Sequence, residues 1–462
     1  MNLIRSKPIG HSTRQPPGPT GDWLGMRSLQ RFRSAPLAYL TELARIYGDI
    51  VRFPLGPFFC YLVAYPAGVH QVYVEQASHF HKTRLTKYVF EPSLGQSLLT
   101  SDGEFWLRQR RLIQPAFHSK RIESYGQIMV DCTLRALADW RDGQERDVHE
   151  DMMRLTMRIV SKALFDTEVG EAVDEVGAAI SVAIEIANAK FTRLFQIPRW
   201  LPTRENQRER AALAKIDALA HCFIEERRAL PREQLEQRRD LLSMLLLAVD
   251  EDGAGGMTNQ QARNEVCTLF LAGHETTAVT LSWACYLLAQ HPHAQARLRE
   301  EARAVLGGRP PTTHDLPRLT YTGQVIREAL RLYPPAWITP REAQQDVQIG
   351  DCLIPRGAVV FVSPWVSHHD GRYFPQPDAF MPERWTEAFE KQLPRGAYFP
   401  FASGPRVCIG NTFALMEAQL ILAIIAQHFE LELAPGQRIE PEPLVTLRPR
   451  HGVRMRLRAV AA

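Results

Sequence analysis

The chain has 462 residues, of which 45% are hydrophobic and 23% are charged, a balance typical of a globular protein with a large core. Its net charge of +4 is too small for this length to indicate nucleic acid as a partner, so any basic binding site must be local. The 7 cysteines include no C-x-x-C pair, which argues against a disulfide framework, zinc and iron–sulfur clusters. These features predict reduced thiols in a cytoplasmic protein.

The N-terminus carries no apolar run long enough for a signal peptide or a membrane anchor. We predict an N-terminal arm over residues 1–33, irregular over its first 25 residues, and a single unit over 34–462. The apolar stretch 266–289 is long enough to cross a bilayer, but His274 and Glu275 lie at its centre. An acidic residue there costs roughly 2.5–3.5 kcal/mol, so the stretch is predicted to be a buried helix.

The predicted elements are mainly helical, with a minor β portion drawn from both ends of the chain. Two strand-like runs around Gly56-Pro57 predict a hairpin over 49–66. From about 102 to 306 the apolar spacing is helical, and turn residues interrupt it at 197–203, 228–234 and 250–256.

The longest predicted helix begins at a capping box formed by Thr258 and Gln261 and runs to about Gln290. At 1.5 Å per residue it is about 48 Å long, enough to cross the whole protein. A helix over 318–332, a small sheet, a helix over 410–428 and short strands complete the chain.

The sequence FASGPRVCIG, at 401–410, places a cysteine in a rigid and polar frame. Gly404 allows a tight turn, and Cys408 comes just before a helix, whose free N–H groups and dipole stabilise a thiolate. Arg406 can pair with an anionic group on a flat partner, Gly410 lets the backbone approach that partner, and Phe401 can shield the sulfur. The alternative, a cysteine that only fills the core, suits the other cysteines but leaves the glycines and the arginine unexplained.

This stretch resembles the haem-thiolate signature of the cytochrome P450 family, in which a cysteine thiolate ligates the haem iron. Further stretches resemble other motifs of the family in the same order: WLRQR at 106–110, AGHETT at 272–277, EALR at 328–331 and PERW at 382–385. The match runs from about residue 35 to the end. It implies the cytochrome P450 fold, with the long helix crossing above haem b and Cys408 bound to the iron.

The resemblance also assigns the polar residues of the long helix. Ala272 and Gly273 let the helix pass over the haem, and Glu275 and Thr276 match the acid and hydroxyl that guide protons to the iron-bound oxygen. Two alternatives were weighed from the residues themselves. A zinc-protease H-E-x-x-H motif fails because Ala278 stands four residues after His274, and the apolar flanks disfavour a solvated face.

Arginines and one glutamate complete the implied site. Trp106, Arg110 and Arg341 are expected to contact the haem propionates, although each arginine by itself would more often be a surface charge. Glu328, Arg331 and Arg384 match a Glu–Arg–Arg network that fixes the cysteine loop without taking part in catalysis. Trp385 stands where phenylalanine is commoner in the family.

The substrate pocket is assigned by analogy with the family to apolar segments. Its predicted lining includes Tyr88, Phe90, Phe191, Phe195, Leu269, Phe270, Ala272, Ala336, Trp337, Ile338 and Val445. This lining indicates a hydrophobic small molecule, whether terpenoid, fatty acid, steroid or macrolide.

The predicted activity is a monooxygenase that inserts one atom of O₂ into a C–H bond or an alkene. A separate ferredoxin or flavodoxin, with its NAD(P)H reductase, would supply electrons to a monomeric enzyme. A basic stretch of Arg108, Arg111, His118, Lys120 and Arg121 could steer such a partner. The alternatives are a peroxide-driven peroxygenase, a non-oxidative haem-thiolate enzyme and, outside catalysis, a haem-thiolate sensor or carrier.

Overall fold

The computed structural model describes residues 15–20, 22, 24–167, 172–191, 193, 195–238, 240–247 and 257–460. Within them most residues lie in helices: α1 Met26–Ser34, α2 Pro36–Tyr47, α3 Pro66–His70, α4 Arg84–Leu94, α5 Gly103–Ile113, α6 Ser119–Leu137, α7 Val148–Phe165, α8 Ala172–Phe191, α9 Arg204–Arg228, α10 Arg232–Gln237, α11 Leu241–Leu247, α12 Asn259–Gln290, α13 Pro292–Leu306, α14 Thr320–Leu332, α15 Pro364–His368, α16 Glu387–Gln392 and α17 Asn411–His428. The strands are short: β1 Ile50–Leu55, β2 Phe58–Val63, β3 Phe80–His81, β4 Glu145–Asp147, β5 Thr339–Ala343, β6 Val347–Ile349, β7 Cys352–Ile354, β8 Val359–Val362, β9 Phe429–Leu433, β10 Pro441–Pro443, β11 Leu447–Pro449 and β12 Arg454–Ala459.

Helix α12 forms the centre of the molecule and packs against α7 more extensively than against any other described helix. It begins at the predicted capping box, in which Thr258 Oγ1 accepts from the Gln261 N–H at 3.2 Å and Gln261 Oε1 accepts from the Thr258 N–H at 2.9 Å. Its 32 residues span about 48 Å. The His274 ring is buried, and burial lowers its pKa to about 4, so an uncharged imidazole lies inside the core. In the part of the chain described, no helix is long and apolar enough to cross a membrane.

The predicted hairpin is confirmed and belongs to a larger sheet. Strands β1 and β2 pair antiparallel from Ile50 opposite Val63 to Leu55 opposite Phe58, around the Gly56-Pro57 turn. The sheet continues in the order β1-β2-β8-β5-β3. A second sheet, β4-β12-β9, joins the C-terminal strands to the middle of the chain, and β6-β7 and β10-β11 are two-stranded. The mainly helical fold with a minor β portion from both ends is therefore observed.

The N-terminal arm, predicted over residues 1–33, contains a helix after its first 25 residues. Residues 26–33 belong to α1, whose Leu29 is buried, because an apolar stripe turns toward β1. The backbone before it is also paired, since the Arg52 N–H donates to the Pro17 carbonyl at 2.9 Å. Residues 1–14, 21 and 23 of the predicted arm lie outside the described residues.

Candidate active site

The cysteine loop is a tight turn that delivers Cys408 to the N-terminus of α17. Gly404 has φ +65°, and a Cβ built on it would lie 2.1 Å from the carbonyl oxygen of Tyr73, so only glycine fits there. The Val407 N–H donates to the Gly404 carbonyl at 3.1 Å, and the Cys408 N–H donates to the Phe401 carbonyl at 2.9 Å. The predicted turn before a helix is therefore present.

The Cys408 side chain faces a large internal cavity. The cavity has a volume of about 370 Å³ and includes Cys408, Phe401 and Gly410 in its wall. The thiol is accessible from the cavity, yet protein atoms surround the rest of it. Burial raises its pKa, while the Gly410 N–H and Arg110 act in the opposite direction. A buried thiol becomes a stable thiolate when a cation or metal binds its sulfur.

Four cationic side chains line the same cavity: Lys82, Arg110, Arg341 and Arg406. Arg406 donates to Asp102 Oδ1 at 2.6 Å and to the Ser101 carbonyl at 2.9 Å, and its guanidinium lies 3.9 Å from the centre of the Trp106 ring. Arg110 donates to the Val407 carbonyl at 2.6 Å.

The acidic side chains beside these four cations are fewer than the cations themselves. Burial lowers the pKa of Lys82 well below its usual range, and Arg341 and Arg406 lower it further. Burial also lowers the pKa of Arg406 to about 10, although Asp102 opposes this. Asp102 is shared with Lys87, 2.9 Å away. Sequence reasoning missed Lys82, because a lone lysine after a short strand carries no signal of its own.

On the opposite wall, α12 presents Ala272, Gly273 and Thr276 to the cavity. The Thr276 hydroxyl donates to the Ala272 carbonyl at 2.8 Å, which leaves its oxygen lone pairs free to accept. A Cβ built on Gly273 would lie 3.0 Å from Val160 Cγ2. The glycine therefore also allows α7 to approach α12, which the sequence did not indicate.

Glu275 is buried beside the cavity rather than in its wall. Its Oε1 accepts from the Thr446 hydroxyl at 2.7 Å. Burial raises the pKa of this carboxyl, with the Thr446 bond and Arg448 acting in the opposite direction. Glu275 and Thr276 are adjacent in sequence but point to different surroundings, because successive helical residues are about 100° apart.

The three charged residues expected to form a structural network do bond to one another. Arg331 donates to both oxygens of Glu328, at 2.9 and 2.8 Å, and Arg384 donates to Glu328 Oε1 at 3.0 Å. The Trp385 indole donates to Glu328 Oε2 at 2.9 Å, a bond that phenylalanine could not make. Arg331 also donates to the carbonyls of residues 368, 377 and 379, which ties α14 to the segment leading to the cysteine loop.

Of the predicted substrate-pocket residues, Leu269, Ala272 and Ala336 lie in the described wall of this cavity, and the other residues of that prediction lie outside it. Phe270 turns toward Phe165, with ring centres 6.2 Å apart, because Leu269 occupies the cavity side of α12. Trp337 is turned away by its indole bond to the Leu444 carbonyl, 2.8 Å. Phe195 is 86% exposed.

The remaining predicted pocket residues also pack elsewhere. Phe90 and Phe191 pack against each other with tilted rings, 5.6 Å between ring centres, and the Tyr88 hydroxyl donates to the Ile197 carbonyl at 3.5 Å. Ile338 packs against the apolar cluster that contains Trp337, and Val445 packs against the main core. Besides the predicted Leu269 and Ala336, the apolar wall contains Leu98, Leu99 and Leu164, and the hydroxyl-bearing Thr268 also lines the cavity.

Residues 16–453 match the Cytochrome P450 family model, and the chain therefore belongs to the cytochrome P450 family. It is 39% identical to cyclooctatin synthase of Streptomyces melanosporofaciens, over 89% of each chain. It is 36% identical to cyclooctat-9-en-7-ol 5-monooxygenase of the same organism, over 87% of this chain and 86% of the relative. It is 34% identical to pentalenene oxygenase of Streptomyces avermitilis, over 92% and 93%.

The protein is thus an oxidoreductase that uses haem b, which this family binds through a cysteine thiolate. The cavity fits this group on two counts. One wall offers a thiol beside the Gly410 N–H and Arg110. The rim offers cations that outnumber the acidic side chains beside them, which suits the two propionates. In the described residues no cluster of three or more His, Cys, Asp or Glu offers a competing metal site.

Proposed function

We propose that this chain is a monooxygenase in which Cys408 ligates the haem iron and a hydrophobic substrate, a cyclic terpenoid, binds between the haem and α12. The observation that carries the proposal is one cavity walled by Cys408 on one side and by Ala272 and Thr276 on the other. When bound, haem b supplies the activation of O₂ and its insertion into a C–H bond or alkene. The protein supplies the cavity, the thiolate and the proton path.

Around the cofactor, the cations at the rim have a binding role. The propionates would pair with Lys82, Arg341 and Arg406. The Trp106 ring, which lies against the Arg406 guanidinium, would flank the propionates. Arg110 would hold the cysteine loop through the Val407 carbonyl and stabilise the negative sulfur. Phe401 would shield that sulfur from water. Each role follows from a side chain that lines the cavity.

Protons would reach the oxygen side through Glu275 and Thr276. Burial raises the pKa of Glu275, so this acid keeps its proton to a higher pH than an exposed glutamate, which suits a proton donor. The Thr276 oxygen faces the cavity with free lone pairs, because its own proton is directed at the Ala272 carbonyl. Thr276 would therefore accept a hydrogen bond first and donate only after releasing that carbonyl.

Support for the substrate class comes from two sources. The wall opposite the cysteine is apolar, with Leu98, Leu99, Leu164 and Leu269. The names of two relatives state cyclooctat-9-en-7-ol and pentalenene as substrates, both cyclic alkenes by name. A rigid cyclic hydrocarbon loses little conformational freedom on binding to such a wall, and it needs no charged anchor.

A cyclic terpenoid hydrocarbon and a fatty acid of equal carbon number would test this class. We expect the hydrocarbon to shift the iron from low to high spin in the absorption spectrum, and the fatty acid to give no shift. The carboxylic acid of the same cyclic skeleton is the matched control. A stronger response to the fatty acid would contradict the proposal.

Electrons would come from a separate acidic ferredoxin, with flavodoxin as the alternative donor. The Arg110 bond to the cysteine loop places α5 at the thiolate side, where Arg111 and His118 are exposed. The side chain of Lys120, part of the same basic stretch, lies outside the described residues. Product formation with ferredoxin should fall as ionic strength rises, because exposed charges are screened.

The direct test of the ligand is the spectrum of the reduced, CO-bound protein. We expect the red-shifted Soret band of thiolate ligation in the wild type and its loss in Cys408→Ala. Cys285→Ala is the matched control, because that thiol is buried in α12 away from the cavity. An unchanged Soret band in Cys408→Ala would remove the assignment.

The proton path is tested by coupling. We expect Thr276→Ala to retain haem and substrate binding, while the product formed per NADPH consumed falls at least about tenfold, because general acid–base catalysis typically contributes about 10²–10⁴-fold. Thr276→Ser keeps the hydroxyl and should restore coupling. A substrate oxidised equally well with peroxide alone would favour the peroxygenase alternative.

A further inference from the structure

The segment Gly95–Ser101 between α4 and α5 is folded on itself by buried polar bonds; we call it the 95–101 loop. Thr100 Oγ1 donates to the Gly95 carbonyl at 2.6 Å and accepts from the Ser97 N–H at 2.9 Å. Ser101 Oγ donates to the Ser97 carbonyl at 2.5 Å. Ser97, Thr100 and Ser101 are all buried. The two apolar residues of the loop, Leu98 and Leu99, line the cavity.

The first turns of α12 hold one side of this loop. Both carboxylate oxygens of Glu265 accept from the Leu98 N–H, at 3.0 and 3.1 Å. Asn264 Nδ2 donates to the Gln96 carbonyl at 3.2 Å. Gly95 has φ +56°, and a Cβ built there would lie 2.3 Å from the Asn264 amide. The loop is therefore seated on two polar side chains of α12.

The other end of the loop is held by the cysteine loop. Arg406 donates to the Ser101 carbonyl at 2.9 Å and to the next residue, Asp102. The 95–101 loop consequently bridges the start of α12 and the loop that carries Cys408. Its two leucines stand between these anchors and cannot shift without loss of buried hydrogen bonds.

Burial of the Glu265 carboxyl at this position costs free energy. Glu265 is fully buried, and among the described residues its hydrogen-bond donor is the Leu98 N–H, with no cation bonded to it. Burial raises the pKa of its carboxyl to about 8, which that N–H only partly opposes. An apolar residue would fill the space at lower cost, whereas it would leave the Leu98 N–H without an acceptor. The Glu265 carboxyl thus stabilises the 95–101 loop rather than α12.

The spacing along α12 connects this anchor to the site. Residues 265, 269, 272 and 276 follow each other at helical intervals, so they share one face. Leu269, Ala272 and Thr276 line the cavity, and Glu265 continues the same face where the loop covers it. The bond between Glu265 and the Leu98 N–H therefore holds the Leu98–Leu99 wall of the cavity at a fixed distance from the α12 wall.

We propose that Glu265 and Asn264 are positioning residues that fix the 95–101 loop and so determine the width of the cavity available to substrate. This inference rests on the proposed function, because it concerns the wall of the same cavity. The start of α12 would thus determine which bulky ligands fit the cavity. This role is separate from haem binding at the rim and from proton transfer at Thr276.

The anchoring bond is tested by amide hydrogen exchange in the purified holoprotein. In Glu265→Ala the peptide containing residues 95–101 should exchange about tenfold faster, since one buried hydrogen bond is lost. Glu265→Gln retains an acceptor and should keep most of the protection. Ser282→Ala removes a buried hydroxyl on another face of α12 and should leave the loop unchanged. Equal exchange in wild type and Glu265→Ala would overturn the proposal.

The consequence for ligands is tested with imidazole and 4-phenylimidazole, followed by the Soret shift. Imidazole is too small to press on the leucine wall, whereas the phenyl ring reaches it. Glu265→Ala should weaken 4-phenylimidazole binding about tenfold, equivalent to about 1.4 kcal/mol, and change imidazole binding less than about twofold. Glu265→Gln should restore the wild-type ratio.

The two parts of the interpretation fail in different ways. Parallel changes in both ligands, or no change in either, would overturn the positioning role. If imidazole gave no Soret shift with wild-type protein, the proposed haem site would fail, and hydrogen exchange would still decide whether Glu265 anchors the loop.

Discussion

The molecule contains two groups of charged side chains, one around Glu328 and one at the cavity, and their bonding differs. Around Glu328, Oε1 accepts from three donors and Oε2 from two, and Arg331 uses its remaining N–H groups on backbone carbonyls. Around the cavity, Asp102 lies beside Lys82 and Arg406, and Arg341 lies close enough to lower the pKa of both cations. In the group around Glu328, the charged side chains have their partners within the protein. In the group at the cavity, the cations outnumber the acids beside them.

The difference separates a structural role from a binding role. A buried ion group with all its partners present stabilises one arrangement of the chain and needs nothing else. A group of buried cations with an incomplete set of acceptors remains costly until an anion binds it. Charge alone would not have distinguished the two, because both contain arginines in similar burial.

The largest effect is expected from removing the centre of the group around Glu328. Glu328→Ala leaves Arg331 and Arg384 buried without their carboxylate, which should lower the free energy of unfolding by about 3–5 kcal/mol. Urea denaturation of the holoprotein measures this loss. Glu383→Ala, at an exposed position of the same segment, is the control and should cost less than about 1 kcal/mol. A small loss in Glu328→Ala would place this group among the binding features.

Removing one cation from the group at the cavity should act in opposite directions with and without haem. Lys82→Met deletes a buried charge, so the haem-free protein should gain about 1–4 kcal/mol. The same variant should bind haem less tightly, because one partner of the propionates is lost. Thermal unfolding of both forms, with haem content per chain, measures the two effects. Loss of stability in the haem-free form would mean that Lys82 is satisfied within the protein.

Glu265 is a third buried ionisable residue, and the pH dependence of stability shows whether its charge has a partner within the protein. Its ordinary pKa is 4.5 and its folded pKa is about 8, so between these values the folded chain binds a proton that the unfolded chain has released. The free energy of unfolding therefore falls as pH rises, by at most roughly 1.4 kcal/mol per pH unit. Glu265→Gln does not titrate. Its stability relative to wild type should increase from pH 5 to 8 and level off above pH 8.

A flat difference between Glu265→Gln and wild type across that range would show that the carboxyl is already ionised in the folded protein. In that case a cation or water must face it, and Glu265 would be satisfied like the group around Glu328. The other buried acids remain in both proteins, so the difference reports on Glu265 itself.

The sequence was sufficient for features that depend on local pattern. The capping box at Thr258, the hairpin at Gly56-Pro57 and the turn at Gly404 are encoded within a few residues each, so they could be predicted. The bonding of Arg331 and Arg384 to Glu328 followed from family motifs. These predictions concern either neighbours in the chain or residues with a recurrent spacing.

The cavity wall could not be predicted in the same way. Whether Leu269 or Phe270 faces the cavity depends on the rotation of α12, which packing against α7 decides. Leu98 lies in the wall, and its N–H donates to Glu265, which is distant in sequence. Trp337 is apolar like a pocket residue, but a bond from its indole to Leu444 turns it away. The analogy with the family identified segments of the chain without the orientation of their side chains.

The smallest effect is expected where this sequence departs from its family. Trp385→Phe removes the indole bond to Glu328 Oε2 and retains an aromatic ring, while Arg331 still binds that oxygen. The free energy of unfolding should fall by about 1 kcal/mol, and the Soret band of the CO complex should not move, because the network lies apart from the thiolate. Trp385→Leu, which also loses the ring, should cost more. If Trp385→Phe were neutral, the group around Glu328 would have one more donor than it needs, and the arginines alone would account for its stability.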